Sequence, residues 1–319
     1  MIQTVGTPLL WAGFLAFVLF MLALDLGVFR RRSKEVSPRE ALVWSLVWIG
    51  LALAFNGAIY AWFGPARALE YLTGYLIEKA LSVDNLFVFA VIFSYFSVKP
   101  ELQHRVLFWG ILGALVMRAV FIVAGGALLQ AFHWTIYLFG GLLLVTGVKL
   151  LRQKEGDLHP ERNPVVRLIA RAFPVNASGS GERFFVRQAG RWAITPLFLA
   201  LVTVEVSDLV FAVDSIPAIF AITTDPFIVF TSNIFAILGL RSLYFLLAGM
   251  IGRFRYLNVG LAAVLIFVGA KMMLMEWIRV PIWLSLSVVA GLLTTSVVAS
   301  IVLASRAEPH APPPGGGAA

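Results

Sequence analysis

Apolar residues gather into nine long runs along this chain, near 8–29, 38–63, 68–97, 102–129, 133–151, 195–221, 226–252, 256–277 and 281–304. Each run is about 20 residues long or longer, and as a helix it would cross a hydrocarbon core of roughly 30 Å. Lipid offers no partner to backbone N–H and C=O groups, so each span must satisfy its own. Runs of this length without period-two alternation predict helices and not a barrel. The first run is too long for a signal peptide, has no basic residue ahead of it and shows no clear small-residue cleavage site, so it is expected to be a retained helix.

The polar residues between the runs set orientation. Arg30, Arg31, Arg32, Lys34 and Arg39, then Lys99 and Arg105, nine basic residues from Lys149 to Arg191, then Arg253, Arg255 and Arg306 all fall on one side. Only Arg67 and Arg279 fall on the other. The positive-inside rule supports nine spans with the N-terminus outside and the C-terminus cytoplasmic. A formal charge of +8 then lies beside anionic lipid, and no nucleic-acid partner is needed to explain it.

One loop is long, the basic stretch over about 152–194. Within it Val165, Leu168, Ile169 and Ala172 share a helical face suited to the membrane interface, and Phe184 to Ile194 could form a hairpin turning at Gln188 to Gly190. The expected organisation is a single transmembrane domain over 1–305 and a disordered Pro/Gly tail over 306–319.

Composition excludes several chemistries. The chain is 60% hydrophobic and 13% charged, with mean hydropathy +0.89, which is an integral membrane protein's profile. It has no cysteine, so thiolate nucleophiles, disulfides and iron–sulfur ligation are absent. The four histidines, His104, His133, His159 and His310, sit at run ends, in the loop or in the tail.

Against that background, two runs carry acids in the same arrangement, Glu78-Lys-Ala-Leu-Ser-Val-Asp84-Asn85 and Asp208-Leu-Val-Phe-Ala-Val-Asp214-Ser215, with Glu205 one turn before the second motif. Burying a carboxylate in a bilayer costs several kcal/mol, so such acids mark a cation or proton path. The available ligands, carboxylate, amide, hydroxyl and carbonyl, are all oxygen donors, and they suit Mg²⁺, Ca²⁺ or Mn²⁺ better than copper or zinc. Pro217 could free the carbonyl of Val213 and interrupt the sixth run beside Asp214.

Further correspondences extend the pairing. Arg118 in the fourth run matches Arg241 in the seventh, and Gly147 and Lys149 in the fifth match Gly269 and Lys271 in the eighth. These define an all-α membrane protein with two three-helix units, helices 3–5 (about 68–151) and 6–8 (about 195–277). Three is odd, so the second unit enters the membrane inverted, as in many secondary transporters.

The two acidic motifs, with Thr195 to Ile219 around the second, resemble the TerC/Alx family of integral membrane proteins, over about residues 10 to 305. The resemblance implies export of manganese across the bacterial inner membrane, a link to tellurite resistance and kinship with LysE-like transporters.

Asp84 and Asp214 are then the expected ligands to Mn²⁺, with Glu78, Asp208 and Asn85 completing the shell and Glu205 as a relay. Arg118 and Arg241 are expected to offset part of the acidic charge. Proton antiport is the natural coupling, because buried acids can exchange protons for a dication. The expected partners are thus lipid, a divalent cation and protons, with no prosthetic group; oligomeric state is unreadable. Two alternatives stand: a membrane assembly factor that supports metal loading of exported proteins, or an exporter of Ca²⁺, Mg²⁺ or a basic amino acid. Neither motif has the Tyr-Asp or Gly-x-Gly-Asp form of an intramembrane aspartyl protease, and no enzymatic activity is expected.

Overall fold

A computed structural model describes residues 4–30, 37–132, 134–152, 168, 183–188, 191–247, 257–278 and 280–307. The chain is predominantly helical: α1 (Pro8–Arg30), α2 (Pro38–Tyr95), α3 (Pro100–Ala131), α4 (Thr135–Arg152), α5 (Pro196–Phe220), α6 (Pro226–Leu238), α7 (Leu240–Leu247), α8 (Leu257–Met273) and α9 (Ile282–Ala307). Before α5, β1 (Phe185–Gln188) and β2 (Arg191–Ile194) pair antiparallel as a hairpin. The interfacial helix expected over 163–173, apart from Leu168, and the tail from 308 onward lie outside the described residues.

Among the described residues six helices are long and apolar enough to cross a membrane: α2, α3, α4, α5, the α6–α7 pair and α9; α1 and α8 are shorter apolar helices. Helix starts follow their sequence signals. Proline stands in the first turn of α2, α3, α5 and α6, and Ser37, Thr195 and Asp225 accept from backbone N–H groups as N-caps.

The 58 residues of α2 would extend about 87 Å if straight, far beyond a bilayer. Gly64 breaks the helix at φ 84° and ψ 178°, a conformation available to glycine alone, and Pro65 restarts it. The two segments fold back on each other. Phe55 and Tyr71 place their ring centroids 5.6 Å apart, although unbroken helix would separate them by about 24 Å.

No comparable break occurs in α5. Pro217 is accommodated within its last turn and the helix continues to Phe220, so the interruption beside Asp214 that proline made conceivable is not made. The other interruption falls instead at Gly239, which separates α6 from α7.

Two antiparallel helix pairs organise the interior. In the first, Thr223, just past the end of α5, donates to Glu70 at 2.7 Å, and a Cβ on Gly74 would stand 3.2 Å from Ile219 of α5. Residues rising along the post-Gly64 segment of α2 therefore meet residues falling along α5. In the second pair, a Cβ on Gly140 of α4 would stand 3.1 Å from the carbonyl oxygen of Gly269 in α8, and one on Gly147 would stand 3.0 Å from that of Ala262. Small residues let these backbones approach, which is how helices associate where lipid removes the hydrophobic drive between them.

At the centre, every residue of α6 from Phe227 to Leu238 is buried. A helix apolar on all sides belongs in an interior. Phe14, Phe55, Tyr71, Phe227 and Phe235 from α1, both segments of α2 and α6 form the aromatic part of that core. We predict that Gly269→Leu forces α4 and α8 apart at a cost of about 1–3 kcal/mol or more, read as a lower Tm of the detergent-solubilised protein. Gly141→Leu, where a Cβ meets nothing within 4 Å, should leave Tm unchanged; equal Tm for both variants would contradict the close contact.

Candidate functional site

Four helices deliver polar side chains to one point in the apolar interior. The post-Gly64 segment of α2 brings Glu78 and Ser82, α3 brings Arg118, α5 brings Asp208 and Ser215, and α6 brings Asn233, all of them buried. Arg118 Nε and Nη2 donate to the two oxygens of Asp208 at 3.4 and 3.2 Å. Its Nη1 donates to Glu78 Oε1, to Asn233 Oδ1 at 2.5 Å and to Ser215 Oγ at 3.4 Å. The second oxygen of Glu78 accepts from Asn233 Nδ2 at 3.3 Å, and Ser82 donates to the first at 3.4 Å.

A guanidinium does not lose its proton at this site, so its burial is tolerable only with opposite charge and a full set of acceptors around it. The forked contact with Asp208 uses the planar donor geometry that distinguishes arginine from lysine. Glu78 and Asp208 occupy corresponding places in the two acidic motifs. One arginine thus bridges equivalent acids. With both acids ionised, their two negative charges would exceed its single positive one.

The contact of Arg118 Nη1 with both Glu78 and Ser215 also continues the α2–α5 register. Glu70 meets Thr223, Gly74 meets Ile219 and Glu78 meets Ser215, one turn at a time. Two further turns bring Asn85 opposite Asp208. The midpoint of this pairing lies in the middle of both motifs.

The side chains of Asp84 and Asp214 lie outside the described residues, but their backbones sit in continuous helix. By the same register Asp84 stands opposite Leu209, next to Asp208, and Asp214 stands opposite Lys79, next to Glu78. The two aspartates are therefore offset by five residues, about 7.5 Å along the helices, on either side of the midpoint.

The other predicted residues scatter around this centre. Asn85 is buried further along α2 and is not among the described partners of Arg118. Glu205 is half-buried one turn before Asp208, with its carboxylate directly over Gly113 of α3, where any Cβ would collide with it. Arg241 is buried at the start of α7. Lys79 turns away from the acids and donates to the carbonyl of Ala236 at 3.2 Å, in the last turn of α6, where a cation complements the helix dipole. Among the described residues no three of His, Cys, Asp and Glu are grouped to hold a metal ion.

Sequence reasoning did not single out Asn233. Its signal was the polar triplet Thr231-Ser232-Asn233 inside an apolar run. Thr231 and Ser232 bond back to carbonyls of their own helix, and only Asn233 reaches a neighbour. Its helix is pinned at both ends, by Lys79 at the C-terminal turn and at the N-terminus by Asp225. That cap also accepts from Thr4 Oγ1 at 2.9 Å and Val5 N at 2.8 Å.

Arg118→Met should destabilise the protein strongly, by about 3–5 kcal/mol, because it leaves two buried carboxylates uncompensated. Adding Asp208→Asn should restore part of that loss in a double-mutant cycle followed by thermal melting. Additive losses would contradict the pairing.

A family model described as the integral membrane protein TerC family matches residues 63–308. An uncharacterized membrane protein of Myxococcus xanthus, STKORF319, is 56% identical over 304 residues, 95% of each chain. The Alx proteins of Salmonella typhi and Escherichia coli K12, named for a proposed role as membrane-bound redox modulators, are each 49% identical over 93% of this chain and 95% of theirs. No solved structure matches.

Proposed function

The chain belongs to the TerC family of integral membrane proteins, and from that premise we propose that it is a metal-cation transporter that exports Mn²⁺ across the cytoplasmic membrane. The observation that carries this reading is the antiparallel pairing of the two acidic motifs about a common midpoint, with Arg118 held between Glu78 and Asp208. Buried acids on two facing helices suit an ion path and have no evident value as packing.

In this reading the chain crosses the membrane nine times, with α2 counted as two spans, the α6–α7 pair as one, and α1 and α8 included. The N-terminus is outside and the C-terminus cytoplasmic. The inverted repeat is supported by the contacts of α4 and α8. Under the alignment of Gly147 with Gly269, Gly140 corresponds to Ala262. The two contacts, Gly140 with Gly269 and Gly147 with Ala262, are then exchanged by the repeat, as a two-fold axis in the membrane plane requires. Asp84 and Asp214 act as successive carboxylate stations on either side of the midpoint. Glu78, Asp208 and Asn85 supply further oxygens, Glu205 relays ions or protons from the hairpin end of α5, and Arg241 shares the charge compensation. The donors are all oxygen, in keeping with a hard dication. Proton antiport supplies the drive, with the acids exchanging protons for the ion.

The redox role in the name of the Alx proteins belongs to those proteins; here any such role would run without thiol chemistry, since the chain has no cysteine. Flux of ⁵⁴Mn²⁺ into inside-out vesicles, with a pH indicator present, tests substrate, direction and coupling together. An assembly factor would give no flux, and an exporter of Ca²⁺, Mg²⁺ or a basic amino acid would show its own substrate competing. Asp84→Asn and Asp214→Asn keep shape and each remove one charge, so each should cut Mn²⁺ flux on the order of tenfold or more while the protein still inserts. Flux at the unmodified rate in both variants would exclude these two residues as stations.

A further inference from the structure

We propose that Arg118 is a built-in competitor for the transported cation: its guanidinium holds Glu78 and Asp208 until an arriving dication takes those carboxylates from it, and Asn233 and Ser215 keep hold of it once displaced. The inference rests on the transport reading above and assigns to Arg118 a role beyond lowering the cost of buried acids.

The geometry supports each part. Arg118 stands at the midpoint of the paired motifs, so an ion passing between the levels of Asp84 and Asp214 must pass its guanidinium. Two carboxylates match the charge of a dication and exceed that of one guanidinium, so the ion is the better occupant once it has shed its water. The displaced arginine would then need acceptors that do not themselves suit the ion as well as a carboxylate does. Nη1 already has them, the amide oxygen of Asn233 at 2.5 Å and the hydroxyl of Ser215 at 3.4 Å. Asn233 is a fixed post because α6 is buried and pinned at both ends, by Asp225 and by Lys79. The same asparagine donates to Glu78 through Nδ2, so it faces both the arginine and the acid that exchange partners.

A competitor of this kind lowers apparent affinity by the fraction of time it holds the site. It also helps expel the ion, since its return refills the acids. Weakening it should therefore tighten binding and slow turnover together. A merely structural arginine predicts the reverse, looser binding or no change in the folded fraction.

The test uses full-length protein in lipid nanodiscs for equilibrium ⁵⁴Mn²⁺ binding and in proteoliposomes for flux. Arg118→Lys keeps the positive charge but lacks the fork that grips both oxygens of Asp208. It should bind Mn²⁺ about tenfold more tightly, with turnover reduced by a similar factor. Asn233→Leu removes the post and should loosen Mn²⁺ binding in the folded fraction, and it keeps the idea testable if the lysine variant fails to fold. Unchanged or looser binding by folded Arg118→Lys, or unchanged affinity in Asn233→Leu, would overturn the competitor while leaving transport by the unmodified protein intact. If the unmodified protein neither binds nor moves Mn²⁺, Mg²⁺ or Ca²⁺, the transport reading falls and the competitor falls with it.

Discussion

A permanent positive charge in a dry interior constrains everything near it. Arg118 cannot shed its proton, and Glu78, Asp208, Asn233 and Ser215 between them accept from all three of its nitrogens. Those groups come from three helices besides its own, so α2, α3, α5 and α6 must meet at one depth. Removing any acceptor leaves an uncompensated group in a low-dielectric setting, where the loss is larger than the net gain of making the contact. The arginine thus fixes the register of helices whose apolar surfaces alone could slide past each other.

Register is where the glycines matter. Gly74 admits Ile219 and Ser232 close to the backbone of α2, Gly113 leaves room for the carboxylate of Glu205, and Gly140 with Gly269 brings α4 onto α8. Each is a close approach that a Cβ would crowd, so these glycines keep the helices near the spacing seen around Arg118. Gly64 has a different task. Its positive φ turns a run of 58 residues back on itself, and so sets the motif-bearing segment of α2 against α5 and α6.

Much of this was legible in the chain. Long apolar runs mark helices because lipid leaves the backbone no alternative, and the acids stand out because charged residues are few in those runs and recur there in one arrangement. The hairpin before α5 was also readable, from alternation around Gln188 to Gly190. Three features were not. Pro217 looked like a breaker, but a proline in the last turn of a helix can be tolerated by local adjustment and neighbouring helices, and α5 runs on through it. Lys79 stands beside Glu78 in the sequence, yet adjacent residues on a helix point about 100° apart, and the lysine meets the end of α6 instead. Asn233 was hidden by its company, since Thr231 and Ser232 beside it only bond their own helix.

The proposed repeat is echoed in the close contacts of α4 with α8 and departed from in the polar groups. Aligning Arg118 with Arg241 sets Asn233 against Gly110, a residue with no side chain, packed instead against Val204 at 3.1 Å from where a Cβ would stand. The amide that holds the guanidinium in one half therefore has no counterpart at the matching place in the other. Asn85 and Ser215 differ likewise, one an amide and the other a hydroxyl. In a symmetric site the two sides of the midpoint would present equal wells to an ion, and nothing in the protein would distinguish entry from exit. Unequal donors at corresponding places would make those wells unequal, and under the inverted arrangement proposed above the two wells would face opposite sides of the membrane.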